Sequence, residues 1–270
     1  MVLGWFSRKR KPIDDDSWRA TLAEMPFLAH LDTAALVRLR ELCEDFLQRK
    51  TFTGVAGQEI SEPLRVAIAA QACLPALNLG LGAYDDFVEI VVYPDQFAAA
   101  RTRIDDAGVV HEGVEELAGE AMDGGPVVLS WADAAPGAGN TNVTIHEFVH
   151  KMDLADGAAD GVPPLPRGRR AHWEATMLAA YDAFCRTLDS VEDSIPPDID
   201  PESEAADPWY ARLPLDPYAA TDPAEFFAVS GEAFFIAPGP LADAFPDWYA
   251  ELAAFFRQDP LAADQPRPMP

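Results

Sequence analysis

Cysteine and basic residues are scarce in this sequence, and each shortage argues against a class of protein. The three cysteines, Cys43, Cys73 and Cys185, lie far apart, show no CxxC spacing and sit among apolar neighbours. That pattern argues against a disulfide framework and against a cysteine metal site. Only 20 Lys and Arg stand against 45 Asp and Glu, for a formal net charge of -25. Such a charge repels phosphate backbones and anionic lipid, so no direct nucleic-acid partner is expected. No apolar run approaches the roughly 20 residues of a membrane span. Residues 1–12 also lack the apolar stretch and cleavage site of a secretory signal. The expectation is a cytoplasmic chain with no transmembrane segment.

What is present is enough chain, 270 residues with 49% hydrophobic, for one domain with a substantial core. The 24 prolines gather in Pro163 to Pro166, Pro196 to Pro217 and the stretch after Pro260, which mark loops and a tail. Residues 1–17 read as a basic, flexible N-terminal tail around Arg8-Lys9-Arg10-Lys11, residues 18–258 as a single domain, and residues 259–270 as a proline-rich tail. Within the domain, residues 189–217 are acidic and proline-rich and read as an extended loop able to screen the cleft. Thr33 to Gln48 carries apolar residues at helical spacing, and Pro63 to Ala72 predicts a second, buried helix. Phe87 to Tyr93 and Pro126 to Trp131 predict strands. Helices and strands mix without a regular βαβ alternation, so the fold class is α+β with a helical N-terminal region.

The sharpest motif is NVTIHEFVHKMD at Asn142 to Asp153, which contains His146-Glu147-Phe148-Val149-His150. On a helix, residues four apart share a face, so His146 and His150 can grip one zinc ion while Glu147 reaches a metal-bound water. Ile145, Phe148, Val149 and Met152 supply the apolar side that holds such a helix in a core. The plainer reading of the pentapeptide is a helix with two ordinary histidines. Two of only five histidines fall in it, which favours the metal.

A catalytic zinc takes a third protein ligand and keeps one position open. His172, Glu225 and Glu232 are the downstream candidates. Asp222 reads as an N-cap, Pro223 as the first helical residue and Glu225 as N3, where a glutamate can simply close a capping box. Glu232 lies two helical turns further on the same side. Spacing leaves Glu225 and Glu232 even, with His172 behind them.

These residues carry a family resemblance. HEFVHKMD, followed downstream by YAATDPAEFFAVSGEAFF, resembles the Mlc titration factor A family of bacterial zinc peptidases. The likeness extends through RLRELCEDFLQRKTF, VAIAAQACLPALNLGLGAY, IVVYPDQF and GPVVLSW, and so covers roughly residues 18 to 258. The HEFxHxxD and Tyr-x6-Glu-Phe-Phe pieces are also similar to the catalytic domain of anthrax lethal factor. The resemblance implies a zincin-like metallopeptidase domain holding one Zn2+ on His146, His150 and Glu225, with Glu147 as base; it decides between Glu225 and Glu232. It casts Tyr218, which read alone is a loop aromatic, as a hydrogen-bond donor near the metal. Asp153 matches a family Asp placed to orient a ligand imidazole or to anchor the helix end. The implied substrate is a peptide or protein, and the implied partner is a glucose-responsive transcription repressor of sugar-uptake genes, although no motif marks that contact. Gly125 to Trp131, just before the HExxH helix, reads equally as a strand for binding extended peptide through main-chain hydrogen bonds and as an ordinary core strand.

Overall fold

The computed structural model describes residues 11–104, 110–137 and 141–264. The chain opens with helices α1 (Asp15–Ala23) and α2 (Thr33–Arg49), then strand β1 (Thr51–Gly54) and helix α3 (Glu62–Ala76). Strands β2 (Glu89–Tyr93), β3 (Phe97–Ile104), β4 (Val110–Leu117), β5 (Gly119–Ala121) and β6 (Val127–Ser130) follow. The remainder is helical: α4 (Trp131–Ala134), α5 (Val143–Asp153), α6 (Arg167–Glu192), α7 (Asp207–Tyr210), α8 (Pro223–Ile236), α9 (Pro238–Ala244) and α10 (Pro246–Phe256). The fold is α+β, as the mixed periodicities predict.

The helix boundaries follow local chemistry. Asp32 caps α2 by accepting from the Ala35 N–H at 2.8 Å, and Ser61 caps α3 by accepting from the Leu64 N–H at 3.3 Å. Helix α3 outruns its predicted end by one turn and takes in Pro75. Strand β2 starts two residues later than predicted, because the Phe87 carbonyl accepts from the buried Lys50 ammonium at 2.5 Å instead of entering a ladder.

Four strands form a sheet in the order β1-β2-β6-β5, and β3 pairs with β4 as a separate antiparallel ribbon. β1, β2 and β6 run parallel, with Ile90 opposite Val127, while β5 returns antiparallel with Gly119 opposite Leu129. The sheet's β5 edge therefore carries no further strand among the described residues. β6 is buried along its whole length and paired on both sides. This corrects the expectation that Gly125 to Trp131 binds extended peptide: its backbone groups are already taken by β2 and β5.

Two aromatic clusters fix the helices that matter for the site. Phe148 of α5 meets Phe46, Tyr84 and Phe87 edge to face, with ring centroids 5.0 to 5.9 Å apart. On the other side, Phe226 and Phe227 of α8 pack on Trp173 and Trp248. Where α8 crosses α5, a Cβ on Gly231 would lie 2.9 Å from Val149 Cγ2, so only glycine allows this approach. The segment expected as an extended acidic loop is instead compact: α6 continues to Glu192, and short helical turns follow at Glu204–Ala206, Asp207–Tyr210 and Pro217–Ala220. Burial of Ile195, Ala206 and Leu215 pins these turns to the body of the domain. The cluster Arg8-Lys9-Arg10 lies outside the described residues.

Candidate metal centre and cleft

Asn142 starts α5. Its side chain accepts from the Ile145 N–H at 2.9 Å, and its own N–H donates to Glu232 Oε1 at 2.5 Å. The apolar face of α5, Ile145, Phe148, Val149 and Met152, is fully buried. His146, Glu147 and His150 are thereby turned toward a cleft of about 520 Å³. α8 approaches from the other side with the cap predicted for it: Asp222 accepts from the N–H groups of Ala224 and Glu225 at 2.8 and 2.9 Å, and Pro223 opens the helix.

The carboxylate of Glu225 does not fold back into a capping box. Its Oε2 lies 3.1 Å from His150 Nε2 and 3.2 Å from His146 Nε2, and the two Nε2 atoms are themselves 3.1 Å apart. Among the described residues these three side chains form a group able to hold a metal ion, with one ligand atom each and all within 4.8 Å of one another. Two imidazole nitrogens and a carboxylate oxygen suit a borderline-soft divalent cation. Glu232 sits one shell out, its Oε2 3.6 Å from His146 Nδ1. His172 is not brought to the site; its exposed ring faces Glu251 at 3.4 Å.

Electrostatics follow from this crowding. Burial opposes the imidazolium of His146, but hydrogen bonds to Glu225 and Glu232 outweigh it and raise its pKa to about 10. Burial also works against the carboxylate of Glu225, yet the two imidazoles hold its pKa well below the usual range. Glu147 is 5% exposed, and burial pushes its pKa up against the pull of both histidines.

Tyr218 stands at the cleft mouth, 42% exposed. Its hydroxyl donates to Glu225 Oε1 at 3.4 Å, and its ring lies 6.2 Å from that of His146. Asp216 accepts from its backbone N–H at 2.8 Å, and the Tyr181 hydroxyl holds the Ala220 carbonyl at 3.0 Å, so the turn that carries Tyr218 is tied at both ends. Asp153 makes no hydrogen bond to His150. Its Oδ2 accepts from the Gly161 N–H at 2.8 Å, while the Gly161 carbonyl accepts from Trp173 Nε1 at 2.8 Å. It anchors the segment leaving α5, and burial raises its pKa to about 7 against the pull of that N–H.

Two residues that sequence reasoning passed over complete the site. A Cβ on Gly119 of β5 would lie 2.4 Å from Glu147 Oε1 and 2.7 Å from Val143 Cγ1, so the edge strand approaches the helix only because position 119 has no side chain. Lys151, fully buried, donates to the Met122 and Gly125 carbonyls at 2.5 and 3.0 Å and pairs with Asp86 at 3.2 Å. It ties the turn after β5 to α5. A lysine inside a motif helix gives no periodic signal, and a single glycine outside any motif gives none either.

A HExxH helix and a glutamate from a second helix, gathered on one cleft, define a metallopeptidase-type site. Residues 4–257 match the family described as glucose-regulated metallo-peptidase M90, and the chain belongs to that family. It is similar to proteins named Mlc titration factor A: 37% identical over 248 residues to that of Serratia proteamaculans, covering 91% of this chain and 88% of the relative. It is likewise 37% identical over 258 residues to that of Klebsiella pneumoniae, covering 92% and 91%, and 36% identical over 259 residues to that of Salmonella gallinarum, covering 95% and 91%. No helix among the described residues is long and apolar enough to cross a membrane.

Proposed function

We propose that the protein is a zinc-dependent peptidase that hydrolyses peptide bonds with water. The observation that carries this reading is the convergence of His146, His150 and Glu225 within 4.8 Å beside a buried Glu147 that opens on the same cleft. His146, His150 and Glu225 would hold the zinc ion, which would supply Lewis acidity toward a water and a substrate carbonyl in the cleft. Glu147, which is not among the ligands, takes a proton from the attacking water and passes it to the departing amine. The Tyr218 hydroxyl, at the mouth of the cleft, donates to the oxygen on which charge develops. Glu232 orients the His146 ring from behind and so fixes which nitrogen faces the metal. The open edge of β5 receives extended substrate by strand addition.

Substituting Glu147→Gln tests the reading. The amide keeps the size of the side chain but cannot accept the proton, so metal content and folding are retained while peptide turnover falls on the order of 10³-fold. Full turnover by this variant would sink the mechanism.

The relatives' name, a titration factor for Mlc, supports a second reading in which the chain binds a transcription regulator of sugar uptake in the cytoplasm and the zinc site is secondary. In that case wild type and Glu147→Gln bind the regulator equally and neither cleaves a peptide. A hydrolase acting on a different bond with the same residues would instead show metal-dependent, Glu147-dependent turnover of non-peptide substrates only.

A further inference from the structure

The antiparallel ribbon of β3 and β4 takes no part in the chemistry of the cleft as described so far. Its eight paired positions, from Phe97 with Leu117 to Ile104 with Val110, are joined to no other described strand. A ribbon of that length leaves an open edge on each side, a liability that chains generally shorten or cover. Its root is fixed, because Phe97 and Leu117 are buried with Val128 of β6 and the Phe97 ring stacks on Tyr93 of β2 at 4.9 Å. The same root borders the cleft: Gln96, Leu117 and Ala118 line it together with His146 and Glu147.

Topology sets which edge faces where. β3 follows β2 after Pro94-Asp95-Gln96, and β4 leads into β5 with only Ala118 between them. Because β6 stands between β2 and β5 in the sheet, the ribbon prolongs the sheet with β3 on the β2 side and β4 on the β5 side. The run 110–121 is therefore paired along one edge, first by β3 and then by β6, and its other edge meets no described strand. Backbone polarity at the β5 end agrees. The Ala118 carbonyl accepts from the Ser130 N–H at 2.7 Å, and the Met122 N–H donates to the Pro126 carbonyl at 3.3 Å, so Ala118, Glu120 and Met122 turn their backbone groups to β6. Gly119 and Ala121 turn theirs to the open edge, and Gly119 is the residue that closes on Glu147.

We propose that this edge is one continuous docking line, and that the substrates are extended, unfolded polypeptide segments that run on past the cleft to pair with β4. The proposal rests on the peptidase reading for the position of the cleaved bond and adds the class of substrate. β4 contributes eight residues, about 27 Å of strand, so as many as about eight substrate residues on one side of that bond are held by main-chain hydrogen bonds. Such bonds select length and an extended backbone. A folded segment, or a peptide that ends within the cleft, forgoes them.

The test uses the full metal-loaded chain and one cleavable core peptide, acetylated and amidated, lengthened by two, four, six or eight Ser and Thr residues on its N-terminal or its C-terminal side. In one of the two series kcat/KM rises about 10-fold or more, the worth of a few net main-chain hydrogen bonds, and in the other it stays flat. N-methylation scanned along the longest member of the rising series lowers kcat/KM at every second residue, as pairing on one edge requires. A benzophenone on its last added residue is captured by the β4 segment. Values independent of length in both series overturn the proposal while leaving the peptidase reading in place. An N-methyl scan without the two-residue period, or capture away from β4, overturns it as well. Should wild type cleave none of the peptides, fluorescence anisotropy with the same two series decides. Affinity that grows with length on one side and shows the two-residue period keeps the docking edge and removes the peptidase reading; affinity independent of length removes both.

Discussion

The two walls of the cleft are built on opposite principles. The helical wall, α5 and α8, is made of long elements with dense packing on their far sides: Phe148 sits in one aromatic cluster, Phe226 and Phe227 in another. The strand wall is β5, three residues long, held by its ladder to β6 and by the Lys151 ammonium on the turn beyond it. The helical wall fixes the donor atoms to within a few ångströms, and the strand wall fixes how close anything comes to Glu147. Chemistry on this cleft depends on rigidity from one side and on the absence of a side chain from the other.

The most severe way to break the helical wall is Glu225→Ala. Removal of a direct ligand costs more than the 10- to 100-fold typical of an outer-shell partner, so metal is lost on dialysis against a weak chelator and turnover goes with it. Glu232→Ala, one shell out, weakens metal binding by about 10- to 100-fold and retains it at stoichiometric loading. Metal analysis of the two variants side by side checks the ranking, and equal retention in both would reverse the assignment of inner and outer carboxylate.

Tyr218→Phe removes one donor from the mouth of the cleft without opening a void, since the ring is 42% exposed. Loss of such a donor costs on the order of 100- to 1000-fold in kcat, with metal content unchanged. A kcat near that of wild type, measured on metal-loaded protein, would reduce Tyr218 to a packed loop aromatic, and loss of metal would make it a ligand.

Gly119→Val tests the strand wall directly. The added Cβ would start 2.4 Å from Glu147 Oε1, so the carboxylate must swing aside while His146, His150 and Glu225 are left where they are. Displacement of a reacting group by about 1 Å costs on the order of 100-fold in rate. The expected signature is a fall in kcat at full metal occupancy, read by steady-state kinetics; a wild-type kcat would show that the two walls work independently.

The smallest effect lies at the far end of α5. Asp153 has its pKa raised to about 7 in the folded protein, above an unfolded value near 3.9. Between those values the native state binds more protons than the unfolded state, so this group makes stability fall as pH rises from about 4 to about 7. Its Oδ1 is buried without a partner among the described residues, which agrees with a protonated acid being the favoured form. Asp153→Asn removes that slope and leaves the Gly161 N–H an acceptor. Urea midpoints at pH 5 and pH 7.5 are the measurement, and a variant that loses more stability at pH 7.5 than at pH 5 would contradict it.

How much was legible differs in the same way between the two walls. The helices at Thr33–Arg49 and Val143–Asp153 announce themselves by apolar spacing, and Asp222-Pro223 announces the start of α8 by its capping chemistry. Periodicity places His146 and His150 on one face, because four residues make close to a full turn. β5 has no such signal, since three residues cannot display an alternation. The strand that does carry a signal, the apolar run Val127–Ser130, turned out to be interior, because burial on both faces and pairing on both edges give the same apolar run as a strand beside a cleft. The acidic segment 189–217 misled for a related reason: composition reports average polarity, whereas three buried apolar side chains, Ile195, Ala206 and Leu215, are enough to fold it down.

The sequence by itself determined the helices at Thr33–Arg49 and Val143–Asp153, the start of α8, the pair of histidines with Glu147 between them and the shortlist of downstream carboxylates, because each is set by local chemistry and by a repeat that one chain segment carries alone. Tertiary structure decided what depends on distance between segments far apart in the chain. It turned Glu225 onto His146 and His150 and left Glu232 behind them, since the crossing at Gly231 fixes how α8 rotates against α5. It also placed β5 at the edge of the sheet among the described strands and put Gly119 against Glu147, because strand order and close approach come from how the sheet is assembled, and no spacing within one segment encodes either.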